Sequence, residues 1–203
     1  MHTPEDADSL HREKKARIKA AKDKLYRSKT REKGLVIVHT GTGKGKSTAA
    51  WGLVMRTLGH GRKVGIVQFV KGRRETGERR FLERFPDLVE LRVMGQGFTW
   101  ETQDRARDIE AARAALAEAA RMLRDPELHL VVLDELNIVL RYDYVPLAEV
   151  LAMLETRRPD LHVVITGRNA PRELIEAADL VTEMRLVKHP FREGVKAQIG
   201  IEY

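Results

Sequence analysis

The sequence predicts a single-domain, three-layer α/β/α protein built on a mostly parallel sheet. Three observations lead there. Short apolar runs alternate with helical stretches from residue 34 onward, the pattern of a parallel sheet covered on both faces. One glycine-rich segment, TGTGKGKS (Thr40–Ser47), joins an apolar run to a helical one. A second apolar run, LHLVVLDEL, ends on the paired acids Asp134 and Glu135.

The 203 residues suffice for one domain with a real core. The hydrophobic share of 42% and charged share of 33% suit a soluble globular chain. No apolar run approaches the ~20 residues of a membrane span, so no membrane partner is expected. The first fifteen residues lack the apolar centre of a secretory signal. The chain has no cysteine, which excludes disulfides, thiolate metal sites and cysteine nucleophiles. That fits a reducing compartment, and a cytoplasmic location is the expectation.

The net charge of +7 favours anionic partners, but it is unevenly placed. Residues 11–33 carry eleven lysines and arginines against three acids, a net of +8, so the remainder is close to neutral. This separates a basic N-terminal arm (1–33) from a body (34–203). Residues 1–8 read as disordered and 9–28 as a helix with Ser9 as its N-cap. Leu10, Ile18, Ala21, Leu25 and Tyr26 form only a thin apolar stripe on it.

In the body, residues 35–39 read as a buried strand and 46–58 as a helix ended by Gly59 and Gly61. Strands follow at 63–70, 89–94, 128–133 and 162–166, with closing strands at 180–186 and 196–201. Helices are expected at 79–85, 104–124 (Asp104 near its start), 147–156 and 171–178, the last with Pro171 in its first turn. In such a sheet the loops after the strands gather on one edge. That edge, with the loops at 40–47, 71–78, 95–103, 134–145 and 167–170, is the expected site.

The strict phosphate-loop pattern is Gly, four residues, then Gly-Lys-Ser/Thr. Gly45, Lys46 and Ser47 fit its end, while Thr40 stands where the first glycine is usual. The physics survives that departure. Gly41, Gly43 and Gly45 let successive backbone N–H groups face one anion, and the helix N-terminus adds partial positive charge. Thr42, Lys44 and Thr48 complete the candidate nucleotide-binding set. Lys46 supplies a point charge to phosphate, and Ser47 can hold a magnesium (or manganese) ion. Asp134 and Glu135 are the acids expected at that metal. The fold is thus of the phosphate-loop NTPase, RecA-like kind, with ATP as the nucleotide. These residues alone leave an ATPase and a transferase equally open.

Several segments resemble one family, the ATP:corrinoid adenosyltransferases of the phosphate-loop type. They are VHTGTGKGKSTAAWG (38–52), MGQGFTWETQD (94–104), LVVLDELN (130–137), VITGR (164–168), ELIEAADLVTEM (173–184) and VKHPFREGVKAQIGIEY (187–203). The resemblance covers the body but is weakest in the arm. It implies transfer of the 5′-deoxyadenosyl group of ATP to a cob(I) corrinoid, with loss of inorganic triphosphate, in cobalamin biosynthesis or salvage. It implies a homodimer, an electron-donating reductase or flavoprotein as partner, and ATP held reversed with its 5′-carbon towards the corrin. Lys46 and Glu135 become catalytic candidates. Phe98 and Trp100 would press on the lower corrin face and displace the axial ligand, easing reduction of Co(II). Lys44 is a possible second cation near the triphosphate.

Other residues are less defined. Arg56 and Gln68 reach either the nucleotide or the surface, and Arg168, after a strand, is a candidate phosphate contact. His39 reads as a packing residue. His129, His162 and His189 lack metal-ligand spacing. The competing function is an ATP-hydrolysing, nucleic-acid-associated protein with a RecA-like core. The near-neutral body and the lack of a base-stacking motif disfavour nucleic acid as partner. A non-catalytic nucleotide sensor is a second rival.

Overall fold

The structure is a computed structural model that describes residues 4–70, 76–94 and 104–202. It divides into two compact units, Met1–Glu32 and Lys33–Tyr203. The first is one helix, α1 (Pro4–Arg27). It starts before the expected Ser9 cap, with proline opening its first turn, where the missing N–H costs nothing. Leu10, Ile18, Leu25 and Tyr26 are all exposed.

The second unit runs β1 (Val36–Thr40), α2 (Lys46–Gly59), β2 (Lys63–Gln68), α3 (Gly77–Leu82), β3 (Val89–Val93), α4 (Arg105–Met122), β4 (Leu128–Asp134), α5 (Leu136–Arg141), α6 (Leu147–Glu155), β5 (His162–Thr166), α7 (Arg172–Ala177) and β6 (Leu180–Glu183). The described strands form one six-stranded sheet in the order β3-β2-β4-β5-β1-β6, parallel at every pairing. The α/β expectation therefore stands, and all these strands end on one edge.

Alternation along the strands builds the layers. Val36 and Val38 of β1, Val131 and Leu133 of β4, and Val163 and Ile165 of β5 pack on one face with Ala112, Ala115, Ala119 and Met122 of α4. Ile37, Leu130, Val132 and Val164 point the other way, onto Ala50, Trp51, Val54 and Leu58 of α2. Burial on both faces is why these strands read as continuous apolar runs. The small alanines of α4 allow it close approach to the sheet.

Besides residues 4–8, expected to be disordered and found in α1, two expectations fail in the second unit. Residues 196–201 are not a strand: 3₁₀ residues Pro190–Glu193 precede them, and Gly194 (φ 77°) and Gly200 (φ 79°) turn a chain that is exposed throughout. No second strand pairs outside β6 among the described residues, so nothing holds 196–201 extended. The stretch expected as a loop at 134–145 instead contains α5.

Candidate active site

The parallel register brings the site together. Thr40 lies level with Glu183, His39 with Thr166, and Gln68 with Asp134. From Thr40 the chain leaves the sheet through Gly41–Gly45 and enters α2 at Lys46. Gly41 (φ 95°) and Gly45 (φ 103°) take conformations that an L side chain rarely adopts. Gly43 is required for space as well, since a Cβ there would lie 2.7 Å from the Arg185 carbonyl oxygen.

Thr40 is still part of β1, which explains why it need not be glycine. Its carbonyl accepts from Met184 N–H at 2.8 Å, and its hydroxyl accepts from Ala170 N–H at 3.0 Å. A glycine at this position would lose the tie to the loop after β5.

Asp134 is the hub. It is 1% exposed. One carboxylate oxygen accepts from the Ser47 hydroxyl at 2.8 Å and the Thr166 hydroxyl at 2.7 Å, and the other from the Gln68 amide at 3.1 Å. Gln68 therefore serves the acid. Ser47, in the first turn of α2, donates its hydroxyl hydrogen bond to Asp134, which leaves its oxygen lone pairs as donors for a cation. Glu135 follows in the left-handed region at φ 65°, strained for a glutamate, and its N–H donates to Thr166 Oγ1 at 2.9 Å. Such an outlier is held only where the surroundings over-determine it. Here Thr166 and the start of α5 do so. Asn137 of α5 donates to the Gly167 carbonyl at 3.0 Å and fixes the same corner.

Lys46 sits half-buried at the mouth of the loop, its ammonium donating to the Gly43 carbonyl. Burial pushes its pKa below that of an ordinary lysine, the nearby Arg168 guanidinium pushes the same way, and Glu135 opposes both. Lys46, Arg168 and Glu135 thus share one field. The sequence left the phosphate contact of Arg168 open, and the fold places its charge at the loop. Lys44, mostly exposed, pairs with Glu202 near the C-terminus. Thr42 and Thr48 are exposed on the loop and the first turn of α2.

Arg56 lies in the last turn of α2 and lines a cavity of about 480 Å³ with Arg62, His60, His129 and His162 at the opposite end of that helix. It is not part of the loop site. His39 is buried, with neither ring nitrogen hydrogen-bonded, and burial lowers its pKa. That is the packing role expected of it. Phe98 and Trp100 lie outside the described residues.

A glycine-bent loop between a parallel strand and a helix, with serine and a buried aspartate behind it, defines an α/β protein of the phosphate-loop class. Residues 32–203 match the family described as ATP:corrinoid adenosyltransferase BtuR/CobO/CobP. Relatives named corrinoid adenosyltransferase include one from Pseudomonas aeruginosa, 54% identical over 203 residues and covering all of both chains. Another, from Escherichia coli, is 48% identical over 97% of this chain and its own whole length. A third, from Sinorhizobium, is 53% identical over 98% of this chain and 94% of its own. The chain belongs to the ATP:corrinoid adenosyltransferase family.

Proposed function

We propose that the chain transfers the 5′-deoxyadenosyl group of ATP to the cobalt of a reduced corrinoid. The cob(I) centre supplies an electron pair to the 5′-carbon, a cobalt–carbon bond forms, and the C5′–O bond breaks. Triphosphate leaves with the bonding pair, and cobalt ends as Co(III). The nucleophile carries no proton, so the protein needs no general base. What it must do is stabilise charge growing on the leaving group and hold the reactants in line.

The observation that carries this reading is the phosphate grip at the active edge, in a chain whose whole body matches the family. Gly41, Thr42, Gly43, Lys44, Gly45, Lys46, Ser47 and Thr48 would bind the triphosphate, with Arg168 as a further cation. Lys46 is well suited to the developing charge, because its burial strengthens every electrostatic contact it makes.

The donors present fit a hard divalent cation, magnesium or manganese. Ser47, Asp134 and Glu135 would hold it, directly or through water, and it would supply further charge to the leaving triphosphate. Among the described residues no cluster of three or more histidines and acids could hold a metal alone. With Ser47, Asp134 and Glu135 as the protein's donors, phosphate and water would supply the remaining ligands, as suits magnesium. Phe98 and Trp100 would act on the lower face of the corrin. A homodimer, a cytoplasmic location, an electron-donating reductase or flavoprotein, and a division into a basic arm (1–33) and an adenosyltransferase body (34–203) belong to the same proposal. No helix among the described residues is long and apolar enough to cross a membrane.

The test is product identification after incubation with ATP, magnesium and chemically reduced corrinoid. Adenosylcorrinoid plus inorganic triphosphate is expected. ADP and phosphate, formed faster with DNA or RNA present, would overturn the reading in favour of a nucleic-acid ATPase, and unchanged ATP in favour of a sensor. Phe98→Ala and Trp100→Ala should slow turnover from cob(II)alamin with a reductase far more than turnover from pre-reduced cob(I)alamin. Equal losses would remove those two residues from the mechanism.

A further inference from the structure

The C-terminal segment VKHPFREGVKAQIGIEY is part of the resemblance to the family, and none of its described residues, 187–202, belongs to the buried core. Most of its described residues are exposed, yet the chain returns to one place at both ends of the stretch 184–202. Just before it, the Met184 N–H donates to the Thr40 carbonyl, and the Met184 carbonyl accepts from Gly43 N–H at 2.6 Å. At its far end Glu202 pairs with Lys44. Glu202 is not carried on a loose tail. Gly200 turns the chain at φ 79°, and the N–H groups of Ile201 and Glu202 both donate to the Gln198 carbonyl, at 3.2 and 2.9 Å. The Glu202 side chain is only 21% exposed, while Lys44 remains 54% exposed and open to a second anion.

A carboxylate on an anion-binding loop is otherwise hard to explain. It opposes the field that the loop exists to provide, and a plain surface pair adds little to stability. We propose that Glu202 is an internal competitor for the triphosphate: it occupies Lys44 in the nucleotide-free enzyme and is displaced when the polyphosphate chain binds. The exchange weakens the hold on ATP and on product triphosphate alike. It speeds release of a product that would otherwise carry several charge-assisted contacts away only slowly. This rests on the nucleotide site proposed above and adds the residue that tunes it.

The experiment is a double-mutant cycle read by calorimetric titration with inorganic triphosphate and magnesium, without corrinoid. Glu202→Gln should bind triphosphate about 3- to 10-fold more tightly than wild type, the scale of a 1 kcal/mol contact released. Lys44→Met should bind more weakly, and Lys44→Met/Glu202→Gln should bind like Lys44→Met alone. Deleting residues 200–203, which removes the carboxylate by another route, should reproduce the tightening. Unchanged or weaker binding by Glu202→Gln, or tightening that persists without Lys44, would overturn the competitor. A wild-type enzyme that binds no triphosphate would overturn the nucleotide site as well, so the two failures are distinguishable.

Discussion

The two edges of the sheet use similar polar bonds to opposite ends. At the edge where the strands begin, the bonds mostly terminate on backbone. Asp179 accepts from the Val36 N–H at 3.0 Å and pairs with Lys33. His162 Nδ1 accepts from the Leu35 N–H at 3.2 Å, and Arg158 donates to the carbonyls of Asp125 and Leu128. At the edge where the strands end, Ser47, Thr166 and Gln68 all converge on one side chain, Asp134. The first edge holds the chain in place. The second fixes the direction of a few side chains beside the glycine loop. Breaking the first should cost stability and spare catalysis, and breaking the second should do the reverse.

The largest contrast is expected at Lys46. Lys46→Ala should reduce kcat/KM for ATP by about 10²- to 10³-fold, the scale of one lost transition-state donor. Its unfolding free energy should stay within about 0.5 kcal/mol of wild type, since a partly desolvated ammonium adds little to the fold. Kinetics and a urea melt on one preparation check both halves. A melt that shifts as far as the kinetics would break the comparison.

Asp179→Ala is the mirror test. It removes a carboxylate that accepts from a backbone N–H and a lysine, and should cost about 2 kcal/mol of stability. The kcat measured on folded enzyme should not change.

Thr40→Gly sharpens the border between the two behaviours, because Thr40 both ends a strand and opens the loop. Loss of the bond to Ala170 N–H and the added backbone freedom should together cost about 1–2 kcal/mol. The KM for ATP should rise only a few-fold. A mutant that is as stable as wild type would mean that the loop after β5 is held elsewhere.

The smallest effect is a pH dependence in two windows. Burial lowers the pKa values of His39 and His162, and His129 adds to the shift at His162. The unfolded chain therefore binds protons first. Stability should fall as pH drops below about 6.5 towards the folded values. His162→Asn, which keeps an acceptor for Leu35 N–H, should flatten part of that slope. Asp179 is depressed chiefly by Lys33. Its contribution is complete above about 3.9 and is lost only as pH falls through the lower folded value. Asp179→Ala should abolish this second decline and leave the first.

The difference between the edges also decides what the sequence reveals. The strands, α2 and the loop were legible because two-sided burial and glycine–lysine–serine chemistry are local patterns. Asp134 and Ser47 were legible for the same reason. Gln68 and Thr166 were not legible as partners of Asp134, because only the register of β2, β4 and β5 brings them within reach. Thr40 looked like a departure from the loop pattern until its bonds to Ala170 and Met184, far along the chain, accounted for it. Residues 196–201 misled because their alternation of apolar and polar groups imitates a strand. Two glycines at positive φ and the lack of a neighbour decide otherwise. The left-handed turn at Glu135, with α5 behind it, has no signal in composition at all.

The strand order carries a last consequence, for synthesis. β1 is made early, but its neighbours are β5 and β6, with Val36 level with Val163 and Ile37 level with Leu180. Until those residues exist, the first strand has no edge to join, and the glycines after it have no carbonyls of Met184 and Arg185 to rest against. At about 5–20 residues per second a ribosome needs roughly 7–30 s to cover that interval. The nascent chain therefore carries this glycine loop unfinished until β6 has been made. Such long-range parallel pairing is also intrinsically slow to form. Chains that include β6 should gain the ability to bind nucleotide in one step, and chains halted before β6 should not bind it.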